Sequence, residues 1–321
     1  MMFKYLGKTK VSCQELIKGY LPEYELECKR KAFERALEVY GHEDGDIEVS
    51  HVMCDNSISD EVLTRQKIKL NMDREFYDYR KARAGEDTWF VNFADPELFV
   101  AAEGTLFAQD EIQTLEMPLL AAFRRYIDSN HIGGFAPYTS YNGYPTPYLF
   151  RNVPYWIKVD TRPLLRNGTR GNIYGSNLTT ASDKEIEAGI RTVDGEYRVN
   201  VLAIAAPGNG FGKYNTEEIS LVVRTLLCAF SAVRAQSTGK VVIHSGNWGC
   251  GAFGGNPEFM YLAQMYAASV CGIDELVLHD IKYEVEDSIQ AFNKMQDGMK
   301  LADAVEILYS KGYEWKESDG N

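Results

Sequence analysis

The stretch VVIHSGNWGCGAFGGNPEFMYLAQMYAASV, residues 241–270, decides the fold. An apolar run, Val241 to Ile243, leads into a loop that holds Gly246, Gly249, Gly251, Gly254 and Gly255. Asn256 and Pro257 then open a segment of helical periodicity, one as N-cap and the other in the first turn. Strand, glycines and helix start bring backbone N–H groups and the positive end of a helix to one point, which suits an anion. Glycine there lets a phosphate approach the backbone with no Cβ in the way. Gly249, Gly251 and Gly254 also spell the G-x-G-x-x-G of dinucleotide-binding folds, and Asp280 ends the next predicted strand, where such folds place a ribose-binding acid. Against that reading, the loop is longer than a tight strand-to-helix turn, and Trp248 and Phe253 crowd it. A turn that only packs a helix close to a sheet is the plainer alternative. The glycine density, with Asn247 and Phe253, favours a ligand loop.

Working outward, strands and helices alternate. TWFVNFA (88–94) reads as a buried strand, and QDEIQTLEMPLLAAFRRYI (109–127) as an amphipathic helix with Ile112, Leu115, Leu119 and Phe123 on one face. IEVSHVM (47–53), YWIKVD (155–160), VNVLAIAAP (199–207) and ELVLHD (275–280) read as further strands, and residues 215–236 as a long helix. Residues 14–40 carry helical periodicity interrupted at Pro22, and 60–84 read as polar and mostly helical. Residues 131–156 read as a loop dense in Tyr, Pro and Gly, and 162–195 as an excursion with short hairpins. The pattern predicts an α/β fold with helices on both faces of the sheet. Its expected divisions are a helical accessory segment over 1–45, a core domain over 46–285 and a C-terminal helical tail over 286–321.

Composition narrows the function. The 321 residues are 45% hydrophobic and 25% charged, as in an ordinary globular protein. Lys and Arg total 34 against 46 Asp and Glu, a net charge of −12. That balance argues against direct DNA or RNA binding, which needs clustered positive charge. A small phosphorylated ligand held by backbone N–H groups stays compatible with it. No stretch offers the roughly 18–20 apolar residues of a membrane helix, and the start lacks a signal-peptide core. The six cysteines are scattered, which favours a reducing cytoplasmic or nuclear setting. The five histidines do not fall at ligand spacings with them, so no zinc site is expected, and nothing in the sequence calls for a metal or a cofactor.

Gly246 to Gly255 closely resembles the T-G-N-W-G-C-G-A-F-G-G-D segment of poly(ADP-ribose) glycohydrolases over ten consecutive residues. FVNFAD (90–95) is similar to the family's V-D-F-A-N strand end. QDEI, from Gln109, is similar to its Q-E-E-I signature at the same separation. YNGY (141–144) resembles its Y-x-G-Y loop, and RTLLCAF (224–230) the helix before the glycine loop. These blocks keep the family's order across about residues 88–285. The resemblance implies a macrodomain-like mixed sheet that binds ADP-ribose or poly(ADP-ribose), including ADP-ribose carried on modified proteins. It makes Glu111 the catalytic acid, Asp110 its acidic neighbour and Gln109 a supporting polar group. Asn247 and the run Gly249, Cys250, Gly251, Ala252, Phe253 and Gly254 would contact the phosphates and distal ribose, with Phe253 packed on that ribose. Tyr141 and Tyr144 would form a lid.

The departures are as informative as the matches. Where the family has three consecutive glycines, this chain has FVAAEGT (99–105), whose side chains are expected to obstruct a diphosphate wrapped in the usual way. The strand-end Asn is Asp95, which can accept ribose hydroxyls but repels phosphate. Cleaving a ribosyl O-glycosidic bond needs a proton for the leaving oxygen and passes through an oxocarbenium-like state. One carboxyl group can give that proton and then activate water, if its pKa lies near the working pH. The helix start lowers the pKa values of Asp110 and Glu111, while repulsion and desolvation raise them. The expected function is hydrolysis of ribosyl bonds in ADP-ribose polymers or conjugates. The rivals are an ADP-ribose reader without turnover and a hydrolase of a related nucleotide conjugate.

Overall fold

Strand Glu86–Ala94 alternates its side chains between two cores, and the molecule is layered around it. The structure is a computed structural model that describes residues 2–55, 58, 61–162, 172–281 and 285–320. Its central sheet has eight strands: β1 (Phe3–Ser12), β2 (Asp46–Cys54), β3 (Lys69–Met72), β4 (Glu86–Ala94), β5 (Tyr148–Pro154), β6 (Arg198–Ala205), β7 (Lys240–Ser245) and β8 (Glu275–Leu278). They lie in the order β1-β2-β5-β6-β4-β7-β8-β3. The strands from β6 across to β3 all run parallel. β5 is antiparallel to both of its neighbours, and β1 is antiparallel to β2. The helices are α1 (Cys13–Gly19), α2 (Glu27–Tyr40), α3 (Gln109–Glu116), α4 (Leu119–Asn130), α5 (Asp183–Gly189), α6 (Thr216–Gln236), α7 (Pro257–Val270), α8 (Glu286–Lys294) and α9 (Leu301–Tyr309).

Helices cover both faces, as the strand–helix alternation predicts. Trp89 and Val91 of β4 enter one core with Leu226 of α6, Leu262 of α7 and Ala304 of α9. Phe90 and Ala94 enter the other, with Phe33 of α2, Leu115 of α3 and Phe123 of α4. Strands buried on both faces read as continuous apolar runs, which is why β4, β6 and β7 were legible. α7 is buried along nearly its whole length, so it shows little amphipathic contrast. No helix among the described residues is long and apolar enough to cross a membrane.

Several local expectations change. Residues 60–84 are not mostly helical: Lys69–Met72 is β3, at the end of the strand order among the described residues and paired with β8. Tyr148–Pro154, read as loop, is β5 inside the sheet, where pairing with β2 and β6 overrides the signal of its bounding prolines. The helix expected over 109–127 is two helices, because Pro118 has no N–H to carry it on. In the N-terminal segment, α1 and α2 follow β1, an edge strand whose exposed lysines hide its periodicity. Part of the expected excursion, residues 163–171, lies outside the described residues; α5 and a pairing of Ile157–Val159 with Ile190–Thr192 account for much of the remainder. Leu226→Ala, at a fully buried site, should lose about 2–5 kcal/mol in urea unfolding, while Val39→Ala, at an exposed one, should stay within about 0.5 kcal/mol.

Candidate active site

The parallel strands β4, β6, β7 and β8 end at one rim, and a cleft opens there, as open α/β sheets favour. Asp95 follows β4, Ala206 follows β6, the glycine loop follows β7, and His279 and Asp280 follow β8. The first turn of α3 supplies the acidic side.

Gln109 fixes where α3 begins. Its Oε1 accepts the Phe93 N–H at 2.7 Å and its Nε2 donates to the Val91 carbonyl at 3.2 Å, so the helix is clamped to the end of β4. Asn92 shares the Phe90 face of that strand, and its Nδ2 donates to Asp110 Oδ1 at 3.0 Å. Glu111 Oε2 accepts the Ala108 N–H at 2.9 Å, closing the helix start. Both carboxyl groups line the cleft yet are nearly fully buried, Asp110 6% and Glu111 3% exposed. Burial pushes both pKa values up, that of Asp110 far up, where the neighbouring Glu111 charge adds to it. The N–H groups of Glu111 and Ala108, and the Lys29 ammonium, pull Glu111 back toward ionisation. Of the opposing effects read from the sequence, desolvation prevails.

Opposite stands the glycine loop. Trp248 anchors it from below, fully buried, with Nε1 donating to the Ile204 carbonyl at 3.0 Å. Gly249 has φ +74°, and a Cβ there would lie 2.6 Å from Ala206 Cβ and from Met260 Cε. The loop therefore turns where only glycine fits. Asn247 braces it through its side chain: Nδ2 donates to the Asp280 carbonyl at 2.6 Å, and Oδ1 accepts the Tyr261 hydroxyl. Asn256 Oδ1 caps α7 by accepting the Phe259 N–H at 3.2 Å, with Pro257 in the first turn as expected. The C-terminal segment crosses this loop, the Lys316 N–H donating to the Gly254 carbonyl at 2.8 Å, and brings Asp319 into the cleft lining.

The cleft thus gathers Asp95, Gln109, Asp110, Glu111, Asn247, Gly249, Cys250, Gly251, Ala252 and Phe253. Gly254 sits one residue beyond its lining. Tyr141 and Tyr144 do not line it: they are exposed on a hairpin whose turn is Asn142-Gly143, both at positive φ. Thr139 hangs that hairpin from the end of β4, its hydroxyl donating to the Asp95 carbonyl at 2.7 Å. None of residues 99–105 lines the cleft; Phe99 and Ala102 are in the core beneath α3 and α4. Val100 and Thr105 of the same segment are exposed to solvent.

Several site residues escaped the sequence. Asn92 stands inside the quoted FVNFAD block, and its place on the helix-facing side of β4 was readable from alternation. Phe76, Tyr174 and Asp319 line the cleft from segments that carry no motif. His279 lines it too and shares a hydrogen bond of 2.7 Å with His244. Burial depresses both, His244 to about 3, so the pair is neutral at pH 7. Among the described residues no group of three or more His, Cys, Asp or Glu side chains could hold a metal ion.

Residues 82–286 match the family described as Poly (ADP-ribose) glycohydrolase (PARG), Macro domain fold. Among solved structures the chain is similar to the poly(ADP-ribose) glycohydrolase of Deinococcus radiodurans in complex with ADP-ribose. That similarity is 15% identity and a TM-score of 0.40, over 90% of this chain and 93% of that one. The apo form of the same enzyme gives 12% identity and a TM-score of 0.32, over 90% and 91%. No curated protein sequence matches. With well over half of its length matched, this chain belongs to the poly(ADP-ribose) glycohydrolase family and carries that family's macrodomain fold.

Proposed function

We propose that this chain hydrolyses ribosyl O-glycosidic bonds in poly(ADP-ribose) or in ADP-ribose conjugates, with Glu111 as the acid and then the base. The observation that carries the reading is the Glu111 carboxyl, set in the cleft wall facing the glycine loop, with its acidity weakened by burial. In the first step Glu111 gives its proton to the oxygen that links the ribose C1 to the leaving group. The C–O bond breaks with its electron pair on that oxygen, leaving an oxocarbenium-like ribosyl. In the second step water adds to C1, and the Glu111 carboxylate takes the proton that water sheds, which restores the acid. Asp110 sits beside Glu111 with its Oδ1 accepting from Asn92, its pKa pushed far up by burial and by the Glu111 charge. The glycine-loop N–H groups hold the diphosphate and Phe253 packs on the distal ribose. Asp95 accepts ribose hydroxyls, and the Tyr141–Tyr144 hairpin closes over the site.

Glu111→Gln keeps the shape and removes the proton. It should lower ADP-ribose release from poly(ADP-ribose) and from ADP-ribosylated protein by at least about 100-fold. Retained release would remove Glu111 from the mechanism. Wild-type protein that binds ADP-ribose without releasing any would be a reader instead. Because the proton donor must be protonated, kcat/KM should hold at low pH and fall as pH rises through the Glu111 pKa. Burial has raised that pKa, so the fall should lie above the ordinary glutamate range; a fall within it would contradict the reading. Gly249→Ala, strained at positive φ and crowded by Ala206 and Met260, should weaken ADP-ribose binding by more than about tenfold in calorimetry and lower the Tm.

A further inference from the structure

The inference rests on the assignment of Glu111 just made and concerns what sets that group's acidity. Lys29 stands in the first turn of α2 and does not line the cleft, yet its side chain is fully buried. Its Nζ donates to the Gly104 carbonyl at 2.8 Å and to the Leu106 carbonyl at 2.6 Å, and lies 5.4 Å from the centroid of the Phe107 ring. A buried ammonium is costly. Here it is met by two carbonyls of the segment that leads into α3. Carbonyls orient the charge without neutralising it, so its field reaches Glu111 and Asp110.

The same segment is tied down nearby. The Glu25 N–H donates to the Glu103 carbonyl at 2.8 Å, and Arg125 bridges Glu103 and Glu23 at 3.0 and 2.7 Å. This is the stretch where three glycines are replaced. Phe99 takes a left-handed φ of 53° with its ring in the core, and the turns that follow deliver Gly104 and Leu106 to Lys29.

We propose that Lys29 is a positioning residue for the hydrolysis: its ammonium fixes the Gly104–Ala108 approach to α3 and keeps a positive charge near Glu111. The titratable groups that face Lys29 are Glu25 and Cys28 of its own segment and Glu111 and Asp110 of α3. Around Glu111 they are Lys29, Asp95 and Asp110, with Tyr174 also facing it. Lys29 is the cation of that set. Burial brings its own pKa down to about 8, so it is still charged at neutral pH. Without the charge, Glu111 becomes a weaker acid, gives up its proton less readily and stays protonated to higher pH.

The test is the pH profile of ADP-ribose release for wild type, Lys29→Met, Lys29→Gln and Lys29→Arg, with Glu111→Gln as control. Lys29→Met removes charge and donors, and Lys29→Gln keeps a donor without the charge, so Gln carries the test if Met fails to fold. Both should move the alkaline limb to higher pH and lower kcat on the acid side by about threefold to tenfold, with KM within about twofold. Lys29→Arg should keep the limb where wild type has it. A limb unmoved in both uncharged variants, with Glu111→Gln inactive, would overturn the role of Lys29 and leave that of Glu111 standing. Release that survives Glu111→Gln would overturn the assignment beneath it.

Discussion

Two adjacent carboxyl groups taken out of water are the constraint around which this site is arranged. An isolated buried carboxylate costs far more than a surface one, and the usual response is to keep the proton. Burial and the Glu111 charge push Asp110 far that way against the pull of the Asn92 N–H, while Glu111 sits among the backbone N–H groups of a helix start, which favour the anion. The upward shift is the larger at Asp110, and the helix-start N–H groups and Lys29 pull Glu111 back. Such a divergence is what one-carboxyl acid/base chemistry requires.

The surrounding fold holds that pair in place. Gln109 bonds to both a donor and an acceptor of β4, so α3 cannot slide along the strand without breaking two bonds. Trp248 and Asn247 hold the glycine loop against the ends of β6 and β8. Rigid anchoring on strand ends suits the proposed reaction, in which Glu111 and the glycine loop must keep their separation. The N-terminal segment takes part as well. β1 joins the sheet, and Lys29 of α2 reaches the approach to α3.

Much of this was legible in the sequence, for physical reasons. The parallel strands are buried on both faces and read as apolar runs. Asn256 and Pro257 announce α7, and the glycines announce a close-approach loop. The Gln109–Glu111 block was placed by its resemblance to the family's Q-E-E-I signature at the same distance from the strand end. What stayed hidden depends on tertiary pairing. β5 lies between prolines, β3 is a short polar edge strand, and nothing in the sequence around Lys29 marks its burial beside residues 104–106. Within the segment that replaces the family's glycines, Phe99 and Ala102 pack into the core, a placement set by tertiary packing and not by local pattern.

The most direct measurement is a titration of the Glu111 carboxyl itself, by carboxyl carbon NMR with the resonance assigned through Glu111→Gln. The account predicts a midpoint above the ordinary glutamate range, displaced by burial. A midpoint within or below that range would mean that the helix start and Lys29 outweigh desolvation, and that Glu111 enters the reaction as an anion with no proton to give.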